Sequence, residues 1–124
     1  MTRVWRWENR ETGVGPYQSV SSSGCGVLHG ILMAHGGVQH PHPQLDGWYL
    51  GRFPLGITKE GSWRFGCPSL VSLQVWFEDV PEDLLRVIGQ VVRCYEVPEM
   101  SVLVMDSGRQ VAYDPAVAVL VSTQ

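Results

Sequence analysis

The sequence predicts an α+β fold in a single small domain, and three observations carry that prediction. Residues 3–8 alternate apolar and charged side chains, the pattern of an opening strand. Apolar residues fall at helical spacing after Ser69 and again after Pro81. From residue 90 onward, short β-rich runs alternate with turn residues, which predicts a closing antiparallel meander. A chain of 124 residues can enclose one core but not comfortably two, and a hydrophobic content of 44% supplies that core.

The elements follow in order. In Val4-Trp-Arg-Trp-Glu8, Trp5 and Trp7 point to one face of the first strand, Arg6 and Glu8 to the other. Residues 11–24 read as turn and loop through Gly13, Gly15, Pro16 and the Ser21–Gly24 run. Cys25–His35 has an apolar stripe of Val27, Leu28, Ile31 and Leu32, and Gly36-Gly37 ends the predicted helix. Residues 36–68 form a long irregular segment within the one domain 1–124. Its Trp48, Tyr49, Phe53, Trp63 and Phe65 demand burial, so it is not a disordered linker. Ser69 is placed to cap a helix bearing Leu70, Leu73, Trp76 and Phe77. Pro81 suits the first position of a second helix ending at Gly89, with Glu82 and Asp83 in its first turn. Strands are then expected at Val91–Val97, Val102–Met105, Arg109–Tyr113 and Val117–Val121, with Asp106-Ser-Gly108 as a hairpin signal.

Composition narrows the function. The net charge of −3 argues against a broad basic surface for duplex nucleic acid, although Arg3, Arg6 and Arg10 cluster near the start. The first ten residues lack the apolar run of a signal peptide, and no stretch reaches the roughly 20 apolar residues of a membrane span. A cytoplasmic location and no membrane partner are therefore expected. The 3 cysteines, Cys25, Cys67 and Cys94, form no CxxC and read as reduced thiols.

Several constellations are candidates for chemistry. Arg6 is either a surface arginine paired with Glu8 or an anion clamp, since its planar fork grips phosphate or carboxylate in a bidentate manner. The neighbouring Gly13-Val-Gly-Pro-Tyr17 turn adds backbone N–H groups with little bulk. His40 and His42 flank Pro41 and can face one cleft, but no third ligand has motif spacing, with Asp46 the near candidate, so no metal is expected. Arg64-Phe-Gly-Cys-Pro-Ser69 leads straight into a helix start, which favours an anion and places Cys67 for a lowered pKa. No base partner for Cys67 is identifiable. Gln110 is a polar residue on an otherwise apolar meander. Trp48, Tyr49 and Trp63 can stack on a base or nicotinamide, or else belong to the core.

Together these pieces resemble the ADP-ribosyltransferase-like domains. The resemblance rests on Trp5-Arg6 at the first strand followed by a Gly/Pro loop. It extends to Phe65–Leu70 feeding a helix with Trp76-Phe77, and to the closing runs Val92–Pro98, Val102–Val104 and Arg109–Val111. The same order, with its Gly-x-Gly-Pro-Tyr turn, resembles small uncharacterised proteins of actinobacterial phages. The first resemblance implies a pocket for NAD or a related nucleotide, with or without transfer of ADP-ribose. It assigns the ligand to Arg6, Gly15, Tyr17, His42, Phe65 and Ser69, with Arg6 on the pyrophosphate. It leaves catalysis to Gln110, which stands where the family carries a glutamate, or to Glu96, which matches less well. The second resemblance implies a phage accessory protein that inhibits a host or defence protein through its surface, with Trp48 and Trp63 as anchors. A virion component is a third reading, with only small size in its favour.

Overall fold

A computed structural model describes residues 1–20, 24–36, 40, 46 and 63–124. It shows the expected α+β class, with four helices and six strands among the described residues. The order is β1 (Thr2–Asn9), α1 (Pro16–Ser19), α2 (Gly26–Met33), β2 (Arg64–Gly66), α3 (Leu70–Trp76), α4 (Glu82–Val87), β3 (Gln90–Val97), β4 (Val102–Val104), β5 (Val111–Tyr113) and β6 (Val119–Thr123). Short 3-10 turns at Glu99–Ser101 and Pro115–Val117 link the last strands. No described helix is long and apolar enough to cross a membrane.

The strands form two antiparallel three-stranded sheets, β1-β3-β6 and β2-β5-β4. The closing strands are thus shared between sheets rather than stacked in sequence, with Asp106–Gly108 turning the β4–β5 hairpin as expected. Among the described residues a single β-bridge joins the sheets: Trp5 N donates to Cys67 O at 2.9 Å, and Cys67 N donates to Trp5 O at 2.7 Å. Across this seam the spatial order is β6-β3-β1, then β2-β5-β4. Gly66 makes the join feasible. A Cβ there would lie 2.5 Å from Val4 Cγ1 and 2.9 Å from the Trp5 carbonyl, so any side chain would push the sheets apart.

Trp7, Leu28, Leu32, Leu73, Leu85 and Val92 pack the helices onto one face of the first sheet. Val4, Val97, Val111 and Tyr113 fill a second cluster on the opposite side. The alternation of β1 is therefore obeyed, but both faces are covered, and Arg6 and Glu8 are 7% and 1% exposed. Arg6 is therefore not a surface residue, although the expected pairing with Glu8 is present at 3.5 Å.

Local chemistry explains the element ends. Ser69 Oγ accepts the Ser72 N–H at 3.0 Å, capping α3. Pro81 is the residue before α4 rather than its first helical position, and Gly89 follows with φ 86°. The segment expected to be only turn and loop contains α1, whose Pro16 starts the helix and is itself buried. Cys25, Cys67 and Cys94 form no disulfide among the described residues.

Candidate functional site

The cleft at the seam of the two sheets has a volume of about 370 Å³. Its wall draws on the end of β1, the Gly13–Gln18 turn and helix start, β2, α3 and Gln110 just before β5. Arg6, Gly15, Tyr17, Phe65 and Gln110, five residues singled out from sequence, meet here although they are far apart along the chain.

Arg6 organises the site rather than waiting in it. Its Nη1 donates to the Phe65 carbonyl and its Nη2 to the Gly13 carbonyl, each at 3.1 Å, tying β1 to β2 and to the glycine turn. Its Nε lies 3.5 Å from Glu8 Oε1, while Arg93 Nη1 reaches Glu8 Oε2 at 3.3 Å. A buried carboxylate thus sits between two guanidinium groups. Burial raises the pKa of Tyr113 against the opposing pull of Arg6.

The glycine turn is tight. Asn9 N donates to Val14 O and Gly13 N to Asn9 O, and Gly13 has φ 73°. Gln90, 1% exposed, anchors this turn through Nε2 to Val14 O at 3.2 Å and to Ser19 Oγ at 3.0 Å. Space at Gly15 is also restricted, since a Cβ there would approach Arg6 Nη2 at 3.2 Å. Phe65 gives the cleft its backbone carbonyl and ring, and the ring packs with Trp63, Met105 and Ala112.

Arg64 lies opposite the turn and lines the same cleft. Its Nη1 lies 3.0 Å from where a Gly13 Cβ would stand. Among the described residues no hydrogen bond or ion pair holds it. The signal was present in the sequence, as the first residue of the Arg64–Ser69 run.

Gln110 is 5% exposed, and its Nε2 donates to Asp46 Oδ2 at 3.0 Å. Asp46 also accepts from Ser107 N at 2.6 Å and from Ser107 Oγ at 2.7 Å. Asp46 is thus the anchor of the β4–β5 turn and of Gln110, at a sequence distance that no motif reveals. Glu96 is not in the cleft; it lies on β3 with Arg3 Nη2 at 3.5 Å. Ser69 is the α3 cap and does not line the cleft. His42, Trp48 and Tyr49 lie outside the described residues. Trp63 is 5% exposed, which removes it as a surface anchor and makes it part of the cleft wall with Trp7 and Trp76.

The expected lowering of the Cys67 pKa is overturned. Burial pushes this thiol up to about 12, so it stays protonated and inert. Near the Tyr17 side of the cleft, His35 and His40 stack at 3.8 Å with ring planes 6° apart, and Asp79 lies beside His35. Parallel rings aim their lone pairs in parallel planes, so these two imidazoles do not converge on a shared ion.

The family model described as Bacteriophage T4 Y00F protein matches residues 1–124. No curated protein matches the chain, and no solved structure does.

Proposed function

The chain belongs to the bacteriophage T4 Y00F protein family, and from its geometry we propose that its seam cleft binds an anionic, ring-bearing ligand of the nucleotide class, NAD or ADP-ribose among them. The observation that carries the reading is the convergence of Arg6, Gly15, Tyr17, Phe65 and Gln110 in one cleft. These are five of the eight positions that the ADP-ribosyltransferase resemblance assigns to ligand or chemistry; Ser69 and Glu96 lie outside the cleft. The cleft volume falls in the range of small-molecule sites. Trp63, Trp76 and Phe65 offer faces for a base or nicotinamide ring.

Within that reading Arg6 shapes the cleft by holding two carbonyls, and the phosphate falls to Arg64, a cation that lines the cleft. Binding is better supported than transfer of ADP-ribose. Gln110 is uncharged and held by Asp46, and Glu96 faces away with Arg3.

A thermal-shift panel of NAD, ADP-ribose, AMP and inorganic phosphate tests the reading. At least one nucleotide should raise the melting temperature, and Arg64→Ala should remove that rise while keeping the ligand-free melting temperature. A flat response across the panel at millimolar concentration overturns it.

A further inference from the structure

Three elements meet beside the cleft through a directed chain of hydrogen bonds. The Trp76 indole Nε1–H on α3 donates to the Tyr17 hydroxyl on α1 at 2.7 Å. The Tyr17 oxygen lies 2.6 Å from His35 Nδ1, just beyond α2. His35 Nε2 lies 2.9 and 3.0 Å from the two oxygens of Asp79.

The direction of each proton follows from what these groups can do. An indole N–H only donates, and an ionised carboxylate only accepts. His35 Nε2 must therefore carry the hydrogen that faces Asp79. In a neutral ring Nδ1 is then the acceptor, and the Tyr17 O–H points at it. The ring is neutral because burial holds its pKa below the usual histidine value, against the pull of Asp79 and with the help of neighbouring His40. The His35 side chain is 4% exposed, whereas Asp79 is 50% exposed and reaches solvent. Tyr17, at the other end, lines the cleft.

We propose that Tyr17, His35 and Asp79 form an acid–base relay that opens on the cleft at the Tyr17 hydroxyl and accepts a proton from a hydroxyl group of the bound ligand. The step balances without a co-reactant. The ligand hydroxyl passes its proton to Tyr17 oxygen as the Tyr17 proton moves to His35 Nδ1, leaving an imidazolium paired with Asp79 and an alkoxide on the ligand. Tyr17 remains a neutral phenol throughout. That matters because burial raises its pKa strongly and makes a free phenolate costly. The relay thus supplies the base that neither Gln110 nor Glu96 supplies. Its identification with a nucleotide hydroxyl rests on the function proposed above, but its acid–base character does not.

An arylsulfonyl fluoride tests the relay without any nucleotide. Tyr17 oxygen forms a bond to sulfur, the S–F bond breaks, fluoride leaves, and the Tyr17 proton goes to His35. Peptide mapping should find Tyr17 labelled. The rate should reach a plateau once His35 is deprotonated, with an inflection below the ordinary histidine range: of the titratable groups against His35, which are Asp79, His40 and Tyr17, Asp79 pulls its pKa up, and burial with the help of His40 outweighs that pull. His35→Gln should slow labelling by about 100-fold. Asp79→Asn, at a half-exposed position that leaves the core untouched, should slow it by roughly tenfold. Unlabelled Tyr17, rates unchanged in both variants, or a rate that climbs with pH through the phenol range without a plateau would each overturn the relay. A labelling result of either sign stands whether or not a nucleotide binds.

Discussion

Arg6 and Arg64 show what a single residue contributes here. Both are arginines on short strands at one cleft, yet their donors are spent differently. Arg6 holds the Phe65 and Gly13 carbonyls, and with Arg93 it encloses Glu8. Removing the central charge leaves two guanidinium groups without their carboxylate counter-ion, held only by backbone carbonyls. Glu8→Gln should therefore destabilise the protein by on the order of 3 kcal/mol, read from chemical denaturation with an unchanged slope. The alternation of residues 4–8 placed Arg6 and Glu8 on one face correctly. It could not tell a covered face from a wet one, because cover comes from strands and loops distant in sequence. For the same reason Arg64 was less visible than Arg6: whether a guanidinium is already engaged depends on carbonyls that only the fold brings near.

The elements were legible wherever short-range chemistry decides them. The Ser69 cap, the helical spacing after it and the Asp106–Gly108 turn each appear where local signals put them. Ser69→Ala should cost about 1 kcal/mol of stability, since the Ser72 N–H loses its acceptor while the helix face keeps its packing. A fall in melting temperature with unchanged ligand response checks both points, because Ser69 lies outside the cleft. The α1 helix escaped notice because Gly13, Gly15 and Pro16 signal a turn. Yet Pro16 is suited to a first helical turn, and its burial holds the helix in place. Asp46 escaped for a different reason: its partners Ser107 and Gln110 lie more than sixty positions away, and no local pattern encodes that distance.

At the scale of the whole molecule, the main feature is that two small sheets meet through one residue pair, Trp5 and Cys67. The cleft opens beside that seam, and Gly66 sets how closely the two sheets approach there. Gly66→Val should separate the sheets at Val4 and Trp5, lower stability by several kcal/mol and abolish any ligand response. Hydrogen exchange should show loss of protection at Trp5 and Cys67 N–H groups before the β1–β3 ladder is affected. The α+β class could be read from the order of strand and helix signals. The sharing of closing strands between sheets could not, because β3 and β5 each choose partners by burial and not by sequence neighbourhood.

The proposed nucleotide site, with Arg64 as its anion contact, is tested most directly by isothermal titration of ADP-ribose into the protein and into Arg64→Ala. Saturable one-to-one binding to the parent chain is expected, with a loss of affinity of at least about tenfold in the variant, in keeping with one charge-assisted contact. Absence of saturable heat with ADP-ribose, NAD and AMP alike, or equal affinity in Arg64→Ala, would contradict it.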